Sequence, residues 1–415
     1  MERMIGTENL KTGMYISGLD RPWLDTPFLT QGFFIKNADE IRELISYCKF
    51  VYIDPAQGVA SDKYLDQPAP PTKHYLDEFL SQGKRQVEYE DQKPTLVEVP
   101  AAEMALEEAT VKVASIMDCA RKGDNLDVRV IKAAVQPLLN SIIRNVDALQ
   151  WMLTAQDKTG IYSQAIGNCT IAIAFGRHLG LYKEDLRTLA MGMLLLDVGK
   201  LKISTDILSK PGPLTRAEFA VVKKHVEFGV KMLRKTPGIN EATLEMVQTH
   251  HERFDGSGYP LGLKGKQIPA FGLIAGIIDT YSAMTSKTPY REAIAPYKVL
   301  QELYKWRTKY YKAELVEQFL QCLGVYPTGS LVEMTSGEVG IVIAQNLRNR
   351  LNPTISMILD EQKNPWEINP LVDLSTNRVD ASGLERKILH ALNPGAYGID
   401  PSLAGIQETQ ELRAV

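Results

Sequence analysis

The sequence predicts a mostly α-helical protein, with a small α/β unit ahead of the helices and a small β unit behind them. Two observations predict it. Apolar residues recur with helical period from about 101 to 322, whereas short alternating segments occupy roughly 1–65 and 323–375. A third supports it: between 66 and 100 the composition turns to Pro, Asp, Glu, Lys and Gln, which buries little apolar surface. At 415 residues the chain is long enough for about three domains. It is 44% hydrophobic and 23% charged, so a core of ordinary size is available. Lys plus Arg number 47 against 50 Asp plus Glu, a formal charge of −3, which argues against DNA or RNA binding by a broadly basic surface.

In residues 1–65, short β-rich stretches are expected around 14–16 and 33–35, a helix over Ala38–Tyr47 and a strand over Phe50–Ile53. This reads as an accessory domain. The stretch 66–100, which contains Pro68-Ala-Pro-Pro71, reads as a linker. The helical domain at 101–322 is punctuated by turn signals at Lys210-Pro-Gly-Pro213, Pro237-Gly238 and Asp255-Gly-Ser-Gly258. After Tyr326-Pro-Thr-Gly329 the pattern alternates over Leu331–Met334, 339–343 and Thr354–Leu359, with a turn at Ser336-Gly337; a weakly patterned tail covers 376–415. Cys48, Cys119, Cys169 and Cys322 show no metal-knuckle or disulfide spacing, and no long apolar run occurs. A cytoplasmic protein with no signal peptide and no membrane span is expected.

Three of the six histidines, His225, His250 and His251, fall within 27 residues. Thr215 and Glu218 have capping-box spacing and open a helix whose apolar positions are Phe219, Val222, Val226, Val230 and Leu233, placing His225 at the edge of the buried stripe. His250 and His251 close a helix patterned by Leu244 and Val247, so both rings can turn inward. Asp197 follows the stripe Leu186, Leu189, Ala190, Met193. Asp279 ends an apolar helical run, where an unpartnered carboxylate would be expensive. Together these form an N/O ligand set suited to iron, manganese, zinc or nickel. A lone histidine beside an apolar stripe is more often a packed residue, and Asp279 could instead cap a neighbouring helix. His74, His178 and His390 have no such company and read as surface or packing residues.

The segment His250-His-Glu-Arg-Phe-Asp-Gly-Ser-Gly-Tyr-Pro260, followed by Gly262-Leu-Lys-Gly265, resembles the signature of HD-GYP domains, HD-superfamily phosphohydrolases that cleave cyclic di-GMP. The resemblance spans roughly 125–304 and includes Gly176-Arg-His-Leu-Gly180, Asp197-Val-Gly-Lys200, Leu208-Ser-Lys-Pro-Gly212 and Asp279-Thr-Tyr281. Residues 1–65 are similar to the small domain of unknown function that often precedes HD-GYP domains. The resemblance implies an HD-type helical bundle, cyclic di-GMP as ligand, protein partners in bacterial signalling and a dimer as one compatible assembly. It also implies metal ligands at Asp197, His225, His250, His251 and Asp279, catalytic roles for Asp197 and Lys200, and ligand contacts from Lys200, Gly258, Tyr259, Pro260, Lys287 and Arg291. The sequence departs from the family at three metal-site positions, and Thr288 and Ser282 stand where the family carries an arginine and an aspartate. The family's first histidine falls on Gln164, the histidine of the His-Asp pair on Leu196, and a supporting glutamate on Gly160. One divalent metal, iron or manganese before zinc or nickel, is therefore expected, with the second site lost. The expected function is a degenerate HD-GYP protein, weakly or not hydrolytic, that acts by binding ligand or partner. An active phosphodiesterase giving pGpG or GMP is the alternative.

Overall fold

Strict alternation at Phe50–Ile53, with Val51 and Ile53 fully buried and Phe50 and Tyr52 half-buried, marks a strand with one face on a core. In the computed structural model, which describes residues 3–19, 33–55, 57–61, 65–68, 87–154, 160–287, 292–346, 349–377 and 386–399, this strand is β4. The chain divides into two units, Met1–Glu78 and Phe79–Val415.

The first unit is an antiparallel sheet in the order β3-β2-β4-β1-β5, built from β1 (Arg3–Gly6), β2 (Tyr15–Leu19), β3 (Phe33–Phe34), β4 (Phe50–Ile53) and β5 (Leu65–Pro68). Helix α1 (Ala38–Tyr47) starts at Asn37, whose side chain accepts from the Asp39 and Glu40 amides. Its Leu44 packs with Ile5, Ile16, Val51 and Ile53 in one core. The helix and the fourth strand have the bounds read from the sequence.

In the second unit, residues 87–94 attach to the helices: Val87 N–H donates to the Gly180 carbonyl at 2.9 Å, and Gln92 N–H to that of Arg144 at 2.7 Å. Thus the stretch whose composition argued for a linker supplies β5, this attached segment and the start of α2 (Thr95–Lys122). Helices α3 (Val128–Arg144), α4 (Ala148–Thr154), α5 (Ile161–His178), α6 (Lys183–Leu195) and the short α7 (Thr205–Leu208) follow. Then come α8 (Arg216–Lys223), α9 (His225–Arg234), α10 (Glu241–Thr249), α11 (Ala270–Thr285), α12 (Pro296–Trp306) and α13 (Ala313–Leu323). Glu98 of α2 is fully buried and takes a bidentate pair from Arg144 of α3, with Ser141 donating as well. All three turn signals fall between helices.

The capping box of Thr215 and Glu218 forms as expected, but its helix does not carry His225. The chain kinks at Lys224, and His225 opens a second helix, α9. Phe219, expected in the buried stripe, is 43% exposed. The break at Lys224 leaves no residue of α8 buried, whereas α9 buries His225, Val226, Val230 and Leu233, a difference that apolar spacing does not register.

The chain ends in a second antiparallel sheet, order β10-β6-β7-β8-β9, with β6 (Leu331–Met334), β7 (Val339–Ala344), β8 (Thr354–Leu359), β9 (Leu371–Asp373) and β10 (Ile388–Ala391). β10 lies in what read as tail. It pairs with β6 more than 50 residues away and is itself half-exposed or exposed, so it lacks the buried alternation that flags a strand. Among the described residues, no helix is long and apolar enough to cross a membrane.

Candidate metal centre

Four elements converge on one point. Asp197 follows the C-terminal end of α6, His225 begins α9, His250 and His251 follow α10, and Asp279 stands inside α11. Two glycines permit this convergence. A Cβ on Gly199 would lie 1.9 Å from the His225 carbonyl, and one on Gly276 would lie 2.9 Å from that of His250. Bare backbone at these crossings brings the Asp197 turn onto α9, and α11 onto the His-His pair.

Asp197, His225, His250 and His251 each offer one ligand atom, all within 4.8 Å of one another. The Nδ1 of His225 lies 2.7 Å from the Val222 carbonyl, and that of His250 lies 2.8 Å from the Val247 carbonyl. A carbonyl only accepts, so in both rings Nδ1 carries the proton and Nε2 keeps its lone pair. The two Nε2 atoms face each other at 3.4 Å, and Asp197 Oδ1 stands 3.4 Å from that of His225. Asp197 Oδ1 is also buried without a hydrogen-bond partner. Three lone-pair atoms so placed are stable together only around a cation or a shared proton, and three imidazoles with one carboxylate fit a divalent transition metal.

The protonation states agree. Burial lowers His225 and His250 to about 4 and holds His251 well below its usual value, so the rings are neutral near pH 7. Burial alone would raise Asp197, but Lys200, His225 and His250 outweigh it and bring the carboxyl down to about 2. Lys200 ion-pairs with Asp197 Oδ2 at 2.7 Å. Asp279 is buried, 3.8 Å from His251 Nδ1; burial and then the Asp197 charge raise its pKa. Leu196 is 1% exposed, an apolar side chain immediately before Asp197. Gln164 is half-buried in the first turn of α5, behind Gly160.

Tyr259 stacks on His251, with ring centroids 4.6 Å apart, and so brings the loop with Gly258 and Pro260 to the cluster. Lys287 is exposed past the end of α11 and pairs with Glu292. Arg291 lies outside the described residues, as does His74.

Sequence reasoning missed two features of this site. Glu252, 4% exposed, accepts from the amides of Leu261, Gly262 and Leu263 at 2.7, 3.1 and 3.0 Å, and so ties the loop to the His-His pair. Its position beside two histidines was the only available signal. Phe219 and Lys223 of α8 form the outer wall: Lys223 Nζ sits 4.7 Å from the Tyr259 ring centroid and 4.9 Å from that of Phe219. Their i, i+4 spacing was visible, but the break that leaves α8 unburied was not.

Residues 148–315 match the family model of the HD domain, and residues 3–131 match that of a domain of unknown function, DUF3391. The cyclic di-GMP phosphodiesterase PA4108 of Pseudomonas aeruginosa is 29% identical over 381 residues, covering 90% of this chain and 89% of that protein. A cyclic di-GMP phosphodiesterase of Thermotoga maritima is 42% identical over 128 residues, 31% of this chain and 35% of its own. The 3'3'-cGAMP-specific phosphodiesterase 2 of Vibrio cholerae is 36% identical over 143 residues, 34% of this chain and 27% of its own. The predicted bundle and its His/Asp cluster thus lie in an HD domain, residues 148–315, and a DUF3391 module, residues 3–131, precedes it.

Proposed function

We propose that this chain is a degenerate HD-GYP protein of cyclic di-GMP signalling that holds one divalent metal firmly and hydrolyses its ligand weakly or not at all. The single observation that carries the reading is the contrast within the site. The lone-pair atoms of Asp197, His225 and His250 converge with His251, whereas Leu196 puts buried hydrocarbon beside Asp197 where the family has a histidine. Asp279, the remaining carboxylate of the second site, lies 3.8 Å from His251 Nδ1 and within reach of the Asp197 charge.

In this reading Asp197, His225, His250 and His251 hold the metal, iron or manganese before zinc or nickel. When bound, the ion supplies Lewis acidity and lowers the pKa of a coordinated water. The chain's own residues do the rest. The Val222 and Val247 carbonyls fix the two imidazole tautomers, Lys200 presents an ammonium to a phosphate, and the exposed Phe219 ring offers a face to a base. Cyclic di-GMP is the ligand favoured by the relative matched over most of its length. Residues 1–65 act as an accessory module, and output passes through a protein partner.

The test is metal content and turnover of cyclic di-GMP by anaerobically purified protein supplied with iron or manganese, with His251→Ala as control. About one metal per chain, cyclic di-GMP binding and no control-sensitive product is the expected result. Robust, control-sensitive release of pGpG or GMP overturns it in favour of an active phosphodiesterase.

A further inference from the structure

Away from the metal centre, a cavity of about 540 Å³ opens where the attached segment 87–91, the end of α5, Cys322 and Arg350 meet. Two arginines line it, and both are buried: Arg177 is 6% exposed and Arg350 8%. Arg177 Nη2 donates to Asp91 at 2.8 Å. Arg350 is the anomaly. Its Nη1 donates to the Cys322 carbonyl at 3.2 Å, and among the described residues it has no carboxylate partner and no other hydrogen bond. A guanidinium brings five N–H donors, and keeping it charged away from water normally requires a counter-ion. The nearby acids Asp147 and Asp91 act on it through space but do not hydrogen-bond to it. Asp91 is engaged by Arg177 and the Val146 amide, while the oxygens of Asp147 accept from Thr328 and the Gln345 amide. His178, also on the wall, is hydrogen-bonded to Gln318, and burial followed by Arg350 lowers its pKa to about 4, so it adds no charge near neutrality.

We propose that this cavity binds a small organic anion, a carboxylate or phosphate on a compact apolar or aromatic body, with Arg350 and Arg177 as its anchors. The volume lies within the roughly 300–1,000 Å³ of small-molecule sites. Tyr89, Val146, Ala174 and Leu179 supply an apolar wall, with the Tyr89 ring centroid 6.0 Å from the Arg177 guanidinium. A planar oxyanion satisfies a guanidinium bidentately, so the free donors of Arg350 select its charge and shape. Tyr89 and Asp91 lie on the segment that leaves the N-terminal unit, and its attachment runs through Tyr89 Oη to the Leu181 carbonyl and Asp91 to Arg177. The occupant therefore seats against that attachment.

The experiment is fluorine NMR on the full chain, treated with chelator so that a bound metal cannot recruit the probes. The probes are 4-fluorobenzoate, 4-fluorophenyl phosphate and neutral 4-fluorobenzamide. At least one anionic probe is expected to bind in the millimolar range or tighter, while the amide does not. Which anion binds tighter separates carboxylate from phosphate. Arg350→Met should weaken binding about tenfold or more, and Ala174→Leu, which fills the cavity from α5 and leaves both arginines, should abolish it. Equal binding of the amide, anion binding unaffected by both variants, or no binding of either anion to the wild-type chain overturns the proposal.

Discussion

Leu196→His, combined with Gln164→His, puts back the two imidazoles that the family carries and this chain lacks. Leu196 is 1% exposed, so its replacement forfeits most of a buried leucine's transfer free energy, about 2 kcal/mol. The new imidazole, buried without a fixed partner, costs a further ~1–3 kcal/mol. Gln164 is half-buried at a helix start and contributes little. In chelator the double variant should thus be about 3–5 kcal/mol less stable than wild type. A metal bound at the restored site reverses the penalty, because binding only the folded state stabilises by about 4 kcal/mol when free metal exceeds the dissociation constant 1,000-fold. Urea unfolding of both proteins, in chelator and in excess manganese, reads this directly. The variant should gain about 2 kcal/mol or more beyond wild type on adding metal, and its metal content should rise from one towards two per chain. Equal metal-induced gains and unchanged stoichiometry would refute the assignment of Leu196 and Gln164 to the missing ligand positions.

Glu252→Ala strips three amides of their carboxylate and should cost about 2–4 kcal/mol, since Leu261 and Gly262 can turn to water but the Leu263 amide is less accessible; an unchanged denaturation midpoint contradicts the latch. Gly199→Ala drives a methyl into the His225 carbonyl and should cost more than about 3 kcal/mol, with metal binding weakened; a stable, metal-loaded variant would show that this crossing is not tight. The pH dependence follows from the imidazoles. Their folded pKa values lie below the unfolded value of about 6.5, so the unfolded chain binds more protons below that pH, and stability is complete above 6.5 and falls as pH drops towards 4. Asp147 and Asp279, which burial raises to about 6, tilt the profile the opposite way, so each imidazole's loss of about 1.4 kcal/mol per pH unit is read in metal-free protein as the difference in slope between wild type and His225→Gln; equal slopes between pH 6.5 and 4.5 would mean that the ring is not buried neutral.

Much of this molecule is written locally. Helix α1, strands β4, β6 and β8, the capping box at Thr215 and the turn signals depend on residues within a few positions of one another, and each stands where its pattern placed it. The clustered residues were legible for the same reason: histidines and aspartates stand at the ends or edges of apolar stripes, and Asp197, His225, His250 and His251 do converge.

What the sequence left open depends on contacts between distant segments. The helix breaks at Lys224, and α8 stays unburied with Phe219 and Lys223 against Tyr259, although apolar helical spacing runs through the break. β10 becomes a strand because β6, over 50 residues earlier, offers it an edge. Glu252 becomes a latch because three amides of a later loop close on its carboxylate, and Arg350 is buried beside Cys322, 28 residues earlier, with no carboxylate hydrogen-bonded to it among the described residues. Burial and hydrogen bonding are properties of the assembled chain. The sequence determined which residues bear charge and lone pairs, and the tertiary structure decided which of them lose water and what they face when they do.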